Sequence, residues 1–417
     1  MQLKYGHSSL ALTLPDSIPV ELISTGRALT AQDEASVIEG ALANPIASRP
    51  LAEIVRPGQK VVIVTSDITR PCPSDHLLPP LLNELRQGGV SDADIRLVFA
   101  LGTHRPQSQA EQKSLCGEAV FRRIQCVDSN PADCVLVGET RRGTPVWVFR
   151  PVMEADVRVC VGNIEYHYFA GYSGGAKAII PGVSNAQTIR QNHRWMTEPG
   201  AVTGQLDGNP VREDIEEAGE MVGVHFILNA ILNENKAIAG AVAGHPRQAH
   251  RAGCQLLDAC GLVTVEHPAD VVIVGAGGYP KDLNLYQAQK ALDNARPIVA
   301  PGGVIVLVAE CAEGAGNRVF EEWMRMPGGP DAIIAQIRRE FVLGGHKAAA
   351  VAMAMKQARI ALVSAMPADA VRALGFLPFA SLPEAVQFAL SQFSAPRVAV
   401  MPQGGSVVPR VGPAKGV

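Results

Sequence analysis

The sequence predicts an α/β protein: two α/β domains with mainly parallel sheets and the active site in the cleft between them. Three observations carry this. Short, continuously apolar runs recur at Val61–Thr65, in DIRLVFA, at Val157–Val161 and in VHFILNAILN, with helical patterns between them. Strands apolar on both faces and alternating with helices are those of a covered parallel sheet. The same alternation restarts near residue 265, through ADVVIVG, GGVIVLVAEC, RIALVS and RVAVMP. A length of 417 residues also suits two domains on a prior of roughly 150–200 residues each.

Taken in order, MQLKYGHSSLALTLPDS alternates polar and apolar residues and reads as a first strand. It lacks the apolar centre of a signal peptide, so the expected location is cytoplasmic. Turn residues at Pro50 and Pro57–Gly58 precede the strand Val61–Thr65, which stops at Asp67 and Arg70. Ser74–Asp75 is the expected cap of a helix running to about Gln87. A second strand runs into Gly102–Thr103–His104, the Val157 strand delivers His167, and a fourth spans Val224–Asn233. Asp67, Arg70, His104 and His167 thus lie just beyond strand ends, the edge at which open α/β sheets bind ligands. The expected organisation is an N-terminal cofactor-binding domain over 1–258, a hinge over 259–268, a C-terminal domain over 269–402 and a tail over 403–417.

A net charge of −3 argues against nucleic-acid binding. No apolar run reaches the ~20 residues of a membrane span. The eight cysteines contain no CxxC pair, and Cys160, inside a strand, reads as a small hydrophobe.

The chemistry concentrates in VRVCVGNIEYHYFAGYSGGAKAIIPGVSNAQTIRQNHRW, Val157 to Trp195. Between Glu165 and Arg190 the only charged side chain is Lys177, and an amine in so apolar a setting loses hydration, drops in pKa and becomes nucleophilic. GYSGGAKAI is not a phosphate loop, because Ala176 and Ala178 flank the lysine where Gly and Ser or Thr are required. GAGGYP matches two glycines of a dinucleotide fingerprint, but Pro280 stands in the position of the third. His167 and His193 lack zinc-motif spacing; with Lys177 and His104 they form a candidate acid/base, nucleophile and ligand set. Arg70 and Lys290 are candidates for a carboxylate or phosphate, and Gln287 lies one turn before Lys290 on one helix face.

The motifs SDITRPCP, LGTHR, HYFAGYSGGAKAIIPG, NHRW, GGYPKDLNLYQAQKA and ECAEGAGNRVFEEW resemble, in this order, the nickel-dependent lactate racemase family. The ten-residue step from His167 to Lys177, with sixteen more to His193, makes the resemblance specific. It implies a nickel-pincer nucleotide, a pyridinium mononucleotide with two sulfur-bearing arms holding nickel. Carried over, Lys177 attaches the cofactor covalently through a thioamide and His193 ligates the nickel. Asp67, Ile68, Thr69 and Arg70 line the cofactor, with Gly174 and Gly175 near its phosphate. His104 and His167 act as acid and base, while Arg70, Gln287 and Lys290 bind the substrate. The implied activity is racemisation or epimerisation of a 2-hydroxy acid by reversible hydride transfer from Cα, in a protein loaded by cofactor-biosynthesis enzymes. The small residues Ala348, Ala349 and Ala350 after His346–Lys347 suggest a pocket for an acid longer or more polar than lactate. Two other readings stand beside this one: an NAD-dependent 2-hydroxy-acid dehydrogenase and a non-catalytic carrier of the nickel cofactor.

Overall fold

The protein is described here by a computed structural model covering residues 1–24, 29–30, 33–233 and 235–412. It divides into two units, Ala28–Cys260 and Met1–Arg27 with Gly261–Val417.

The unit Ala28–Cys260 is built on a six-stranded sheet in the order Ile238–Gly244, Phe226–Leu232, Val157–Ile164, Val61–Ser66, Ile95–Ala100, Gln125–Asp128. All neighbours pair parallel except the edge strand Ile238–Gly244. Val61–Val64 and Val159–Val161 are almost entirely buried, as their unbroken apolar character requires. The helices Glu34–Ala43 and Ser74–Gln87 send Ile38, Leu42, Leu77, Leu78, Leu81, Leu82 and Leu85 into the core with Val61, Ile63, Leu97 and Val159. Each fully buried Leu or Ile of this set contributes about 1.5–3 kcal/mol. From Val61–Ser66 the chain grows outward in both directions, to Ile95–Ala100 on one side and Val157–Ile164 on the other. The carboxyl ends of Val61–Ser66 and Val157–Ile164 therefore flank the reversal point at which such sheets form a crevice.

Ser74 begins its helix as expected but does not cap it: Pro73 holds the cap position without a side-chain bond. The Ser74 hydroxyl pairs instead with Thr65 Oγ1 at 2.7 Å, a buried strand hydroxyl that needs a partner.

The other unit carries a second six-stranded sheet, in the order Leu377–Phe379, Ala358–Val363, Val299–Val308, Ala269–Gly275, Val398–Met401, Val20–Leu22, parallel throughout. Residues 1–24 were expected in the N-terminal domain, 1–258; the structure assigns them here. Val20–Leu22 completes the sheet edge beside Val398–Met401, and Leu3 and Leu12 enter the core of Val271, Ile273, Val304 and Val400. The expected hinge, 259–268, and tail, 403–417, are also structured within the described residues. Leu262–Val265 pairs parallel with Val408–Val411, so each satisfies the other's backbone. Tail residues 413–417 lie outside the described residues. Among the described residues no helix is long and apolar enough to cross a membrane.

Candidate active site

Past the end of the strand Val61–Ser66 the chain turns, and Asp67 points inward, 2% exposed, while Ile68, Thr69 and Arg70 stay exposed. Asp67 Oδ2 accepts from His104 Nδ1 at 2.6 Å, and its Oδ1 accepts from the Thr69 hydroxyl at 2.7 Å. A carboxylate cannot donate, so the Nδ1–H of His104 points at Asp67 and Nε2 presents its lone pair. Burial pushes the Asp67 carboxyl up, but the hydrogen bonds from His104 and Thr69 and the nearby charge of Arg70 outweigh it and hold the pKa below the ordinary 3.8. The two loops are tied together: Ile68 N–H donates to Gln107 Oε1 at 2.8 Å, and Gln107 donates to Asp128, from its backbone at 2.7 Å and its side chain at 3.1 Å.

The strand Val157–Ile164 runs into a small hairpin, Tyr166–His167 against Gly171–Tyr172. Gly171 is required there, with φ at +74° and space in which any Cβ would meet the Gln205 carbonyl at 2.0 Å. Tyr166 and Tyr172 both donate to Asp258, at 2.9 and 2.7 Å, anchoring the hairpin. His167 is half-buried, edge-on to Phe169 at 4.6 Å between ring centroids, and Phe169 is in turn edge-on to His193 at 5.0 Å. One phenyl ring therefore touches both imidazoles. Burial drives the His167 pKa well below 6.5, and the positive charges of Lys177, Arg70, His193 and Arg212 push the same way.

A 3-10 turn, Gly175–Ala178, follows and carries Lys177. Gly174 enters it at φ +75°, and Asn229 Oδ1 accepts from Gly175 N–H at 2.8 Å. His250 stands behind the turn, its Nε2 bonded to the Ser173 carbonyl at 2.8 Å. Burial, with Arg70 and Arg212 close by and Glu165 opposing, holds the Lys177 pKa well below 10.5. The direction is the one an amine in apolar company is expected to take, and the two nearby cations act the same way.

His193 ends the helix Ala186–His193 and is 7% exposed. Its Nδ1 lies 3.1 Å from Asn192 Oδ1, an amide oxygen that can only accept, so Nδ1 carries a proton in this contact. Asn192 Nδ2 is itself tied to Asp214 Oδ2 at 2.8 Å and to the Val211 carbonyl at 3.2 Å.

Gln287 and Lys290 belong to the other unit, on the helix Leu285–Ala295, one turn apart and both exposed. The sequence reading missed their neighbour Lys347, whose ammonium donates to the Tyr286 carbonyl at 2.7 Å and stands 3.9 Å from its ring centroid. Burial pushes Lys347 down to about 8 against the pull of Asp293, with Lys290 acting in the same direction as burial. The pocket inference from Ala348, Ala349 and Ala350 does not hold: all three are fully buried in the helix Gly345–Gln357, which packs against its neighbouring helices, and their small size serves that close packing. GAGGYP does not open a helix as a dinucleotide turn must, because the next helix starts only at Leu285. Asn192, Asn209, Arg212, Asp214 and Asn229 were also missed. Only the Asn209–Pro210 pair, an N-cap followed by Pro at the first helical position, left a local signal.

The comparisons with known proteins make this chain an isomerase. The family descriptions "Lactate racemase N-terminal domain" and "Lactate racemase C-terminal domain" match residues 5–204 and 264–409. The chain belongs to the lactate racemase family, a nickel-dependent one. It is 33% identical to the lactate racemase of Thermoanaerobacterium thermosaccharolyticum over 98% of this chain and 99% of that one. It is 36% identical to the lactate racemase of Lactiplantibacillus plantarum over 69% and 68%. The solved apoprotein of the former superposes with a TM-score of 0.84 at 32% identity, covering 98% of this chain and 99% of the other. A protein from Thermotoga maritima, at 19% identity and a TM-score of 0.59 over 91% and 98%, shares the fold.

Proposed function

We propose that this isomerase racemises or epimerises a 2-hydroxy acid, lactate or a larger 2-hydroxy carboxylate, using a nickel-pincer nucleotide. The observation that carries the reading is the ring contact through Phe169 that joins His167 to His193, with the Lys177 turn following directly from the same hairpin.

The residues fit such a group. Among the described residues no cluster of three or more His, Cys, Asp or Glu side chains could hold a metal ion. A metal at His193 therefore needs its remaining donors from a bound organic group, and soft sulfur donors in a planar arrangement suit nickel(II). The Asn192 contact at Nδ1 is the outer-shell partner a ligating imidazole requires. Lys177, desolvated and flanked by cations, is the amine for covalent attachment. Asp67, Ile68, Thr69 and Arg70 and the Gly174–Gly175 turn are the proposed lining. When bound, the group supplies an acceptor for the hydrogen leaving Cα as hydride, which avoids a carbanion.

The chain's own residues supply the rest. His104, its Nδ1–H held by Asp67, offers Nε2 to the substrate hydroxyl proton. His167 is the partner acid/base for the opposite enantiomer. Arg70 offers a fork for the carboxylate, and Gln287 and Lys290 keep the substrate-binding role implied by the family resemblance. Loading by cofactor-biosynthesis enzymes completes the reading.

The test is a panel of enantiopure 2-hydroxy acids incubated with protein made alongside the cofactor pathway, followed by chiral chromatography. Inversion of at least one acid without net oxidation is expected. Retention of cofactor with no inversion of any acid would assign the carrier role, and net oxidation with a dinucleotide the dehydrogenase role.

A further inference from the structure

The first turn of the helix Pro210–Val222 reaches both halves of the site. Asn209 Nδ2 donates to the Phe169 carbonyl at 2.9 Å, Arg212 Nε donates to the Ala170 carbonyl at 3.2 Å, and Arg212 Nη2 donates to the Tyr172 carbonyl. Three carbonyls of the segment 169–172, which closes the hairpin of His167, are thus held from one helical turn. The same turn accepts from Asn192, the neighbour of His193, at the Val211 carbonyl and at Asp214. Farther along, Gly219 lies against the lysine turn, where a Cβ would meet that of Ala176 at 2.5 Å.

Arg212 is fully buried. Burying a guanidinium is costly unless its donors are used, yet among the described residues Nη1 has no partner, and neither has Glu216 Oε1. Both residues line a small pocket together with Ala176, Gly219 and His250. A methionine or leucine would fill this place without charge; what it could not do is grip two carbonyls on one hairpin. Ala170 is the residue through which that grip reaches the imidazole. Its carbonyl accepts from Arg212 Nε, and its own N–H donates to His167 Nδ1 at 3.3 Å.

We propose that Arg212 is a positioning residue: its buried fork holds the Ala170–Tyr172 segment so that the Ala170 N–H meets His167 Nδ1, fixing the ring's orientation and placing the proton of the neutral imidazole on Nε2. The two site histidines then differ at rest. His104 carries its proton on Nδ1, toward Asp67, and His167 carries its proton on Nε2. The direction of the His167 shift agrees, since burial and the surrounding cations keep the ring neutral. The meaning of this asymmetry for catalysis rests on the racemase reading; the positioning itself does not.

The experiment uses the full chain without cofactor, labelled with ¹⁵N-histidine, and reads two-bond ¹H–¹⁵N correlations at neutral pH, with the His167 signals assigned by their loss in His167→Gln. The wild type is expected to show a neutral His167 protonated on Nε2. Arg212→Lys keeps a charge but not the fork, and Arg212→Met keeps neither; each is expected to give mixed tautomers while circular dichroism reports an intact fold. In loaded enzyme, Arg212→Lys is expected to lower kcat by about tenfold with KM nearly unchanged. A wild-type His167 protonated on Nδ1 overturns the proposal whether or not the variants fold. An unchanged single tautomer in a folded Arg212 variant overturns it as well. An inactive loaded wild type with the expected tautomers would instead sink the racemase reading and leave the positioning intact.

Discussion

Lys177 is the residue on which the cofactor assignment turns, because burial and the nearby Arg70 and Arg212 hold its pKa well below 10.5, which favours the nucleophilic form of the amine. Lys177→Ala, made alongside the cofactor pathway, is expected to show no covalent adduct by intact mass; an adduct on the variant contradicts the attachment. His193→Ala is expected to lose nearly all nickel by elemental analysis. Asn192→Leu, which removes the outer partner of the imidazole together with the bonds to Asp214 and the Val211 carbonyl, should weaken retention by roughly 10–100-fold. Asp67 gives a pH test. Its folded pKa is depressed, so its pairing stabilises the fold above the unfolded value of 3.8 and is lost as pH falls through the lower folded value. Asp67→Asn should therefore be less stable than wild type at neutral pH in urea titrations, and the gap should close only on the acid side of that value. In loaded enzyme the same change should lower kcat by about 10²–10⁴-fold, since it removes the partner that fixes the His104 tautomer.

Among the elements, the turn from Gly174 to Ala178 has little freedom. Gly174 sits at φ +75°, and a Cβ there would lie 2.8 Å from Asn229 Oδ1 and 2.9 Å from Ile164 Cγ1. Gly174→Ala combines left-handed strain with a clash and is expected to cost about 1–3 kcal/mol in urea unfolding, with cofactor attachment at Lys177 reduced. A variant as stable and as readily modified as wild type would remove the turn from the account. The glycine run was legible as a place of close approach. What it approaches was not, because Asn229 and His250 come from a strand and a helix more than fifty residues away in sequence.

For the whole molecule, the division of the chain departs from its order in sequence. The strand Val20–Leu22 and the buried Leu3 and Leu12 complete a sheet and core whose other parts come from beyond residue 260. Leu3→Ala should destabilise the protein by about 2–5 kcal/mol by opening a cavity in that core. Limited proteolysis is expected to show the loss in fragments from residues beyond 260, with the unit Ala28–Cys260 resisting as before. Equal protection of both units would refute the assignment of Leu3 to this core.

The sequence by itself determined the α/β class, the strands that end at Asp67, His104 and His167, and the order of family motifs. Each of these is written in local runs: unbroken apolar stretches, glycines where the chain must turn, and a lone lysine in apolar company. The tertiary structure alone decided which unit owns residues 1–24, that Asp67 grips His104, that one phenyl ring joins His167 to His193, and that Arg212 stands behind the hairpin. Pairing partners and buried charges are set by what a distant segment brings to the same few ångströms, and no window of neighbouring residues encodes that distance.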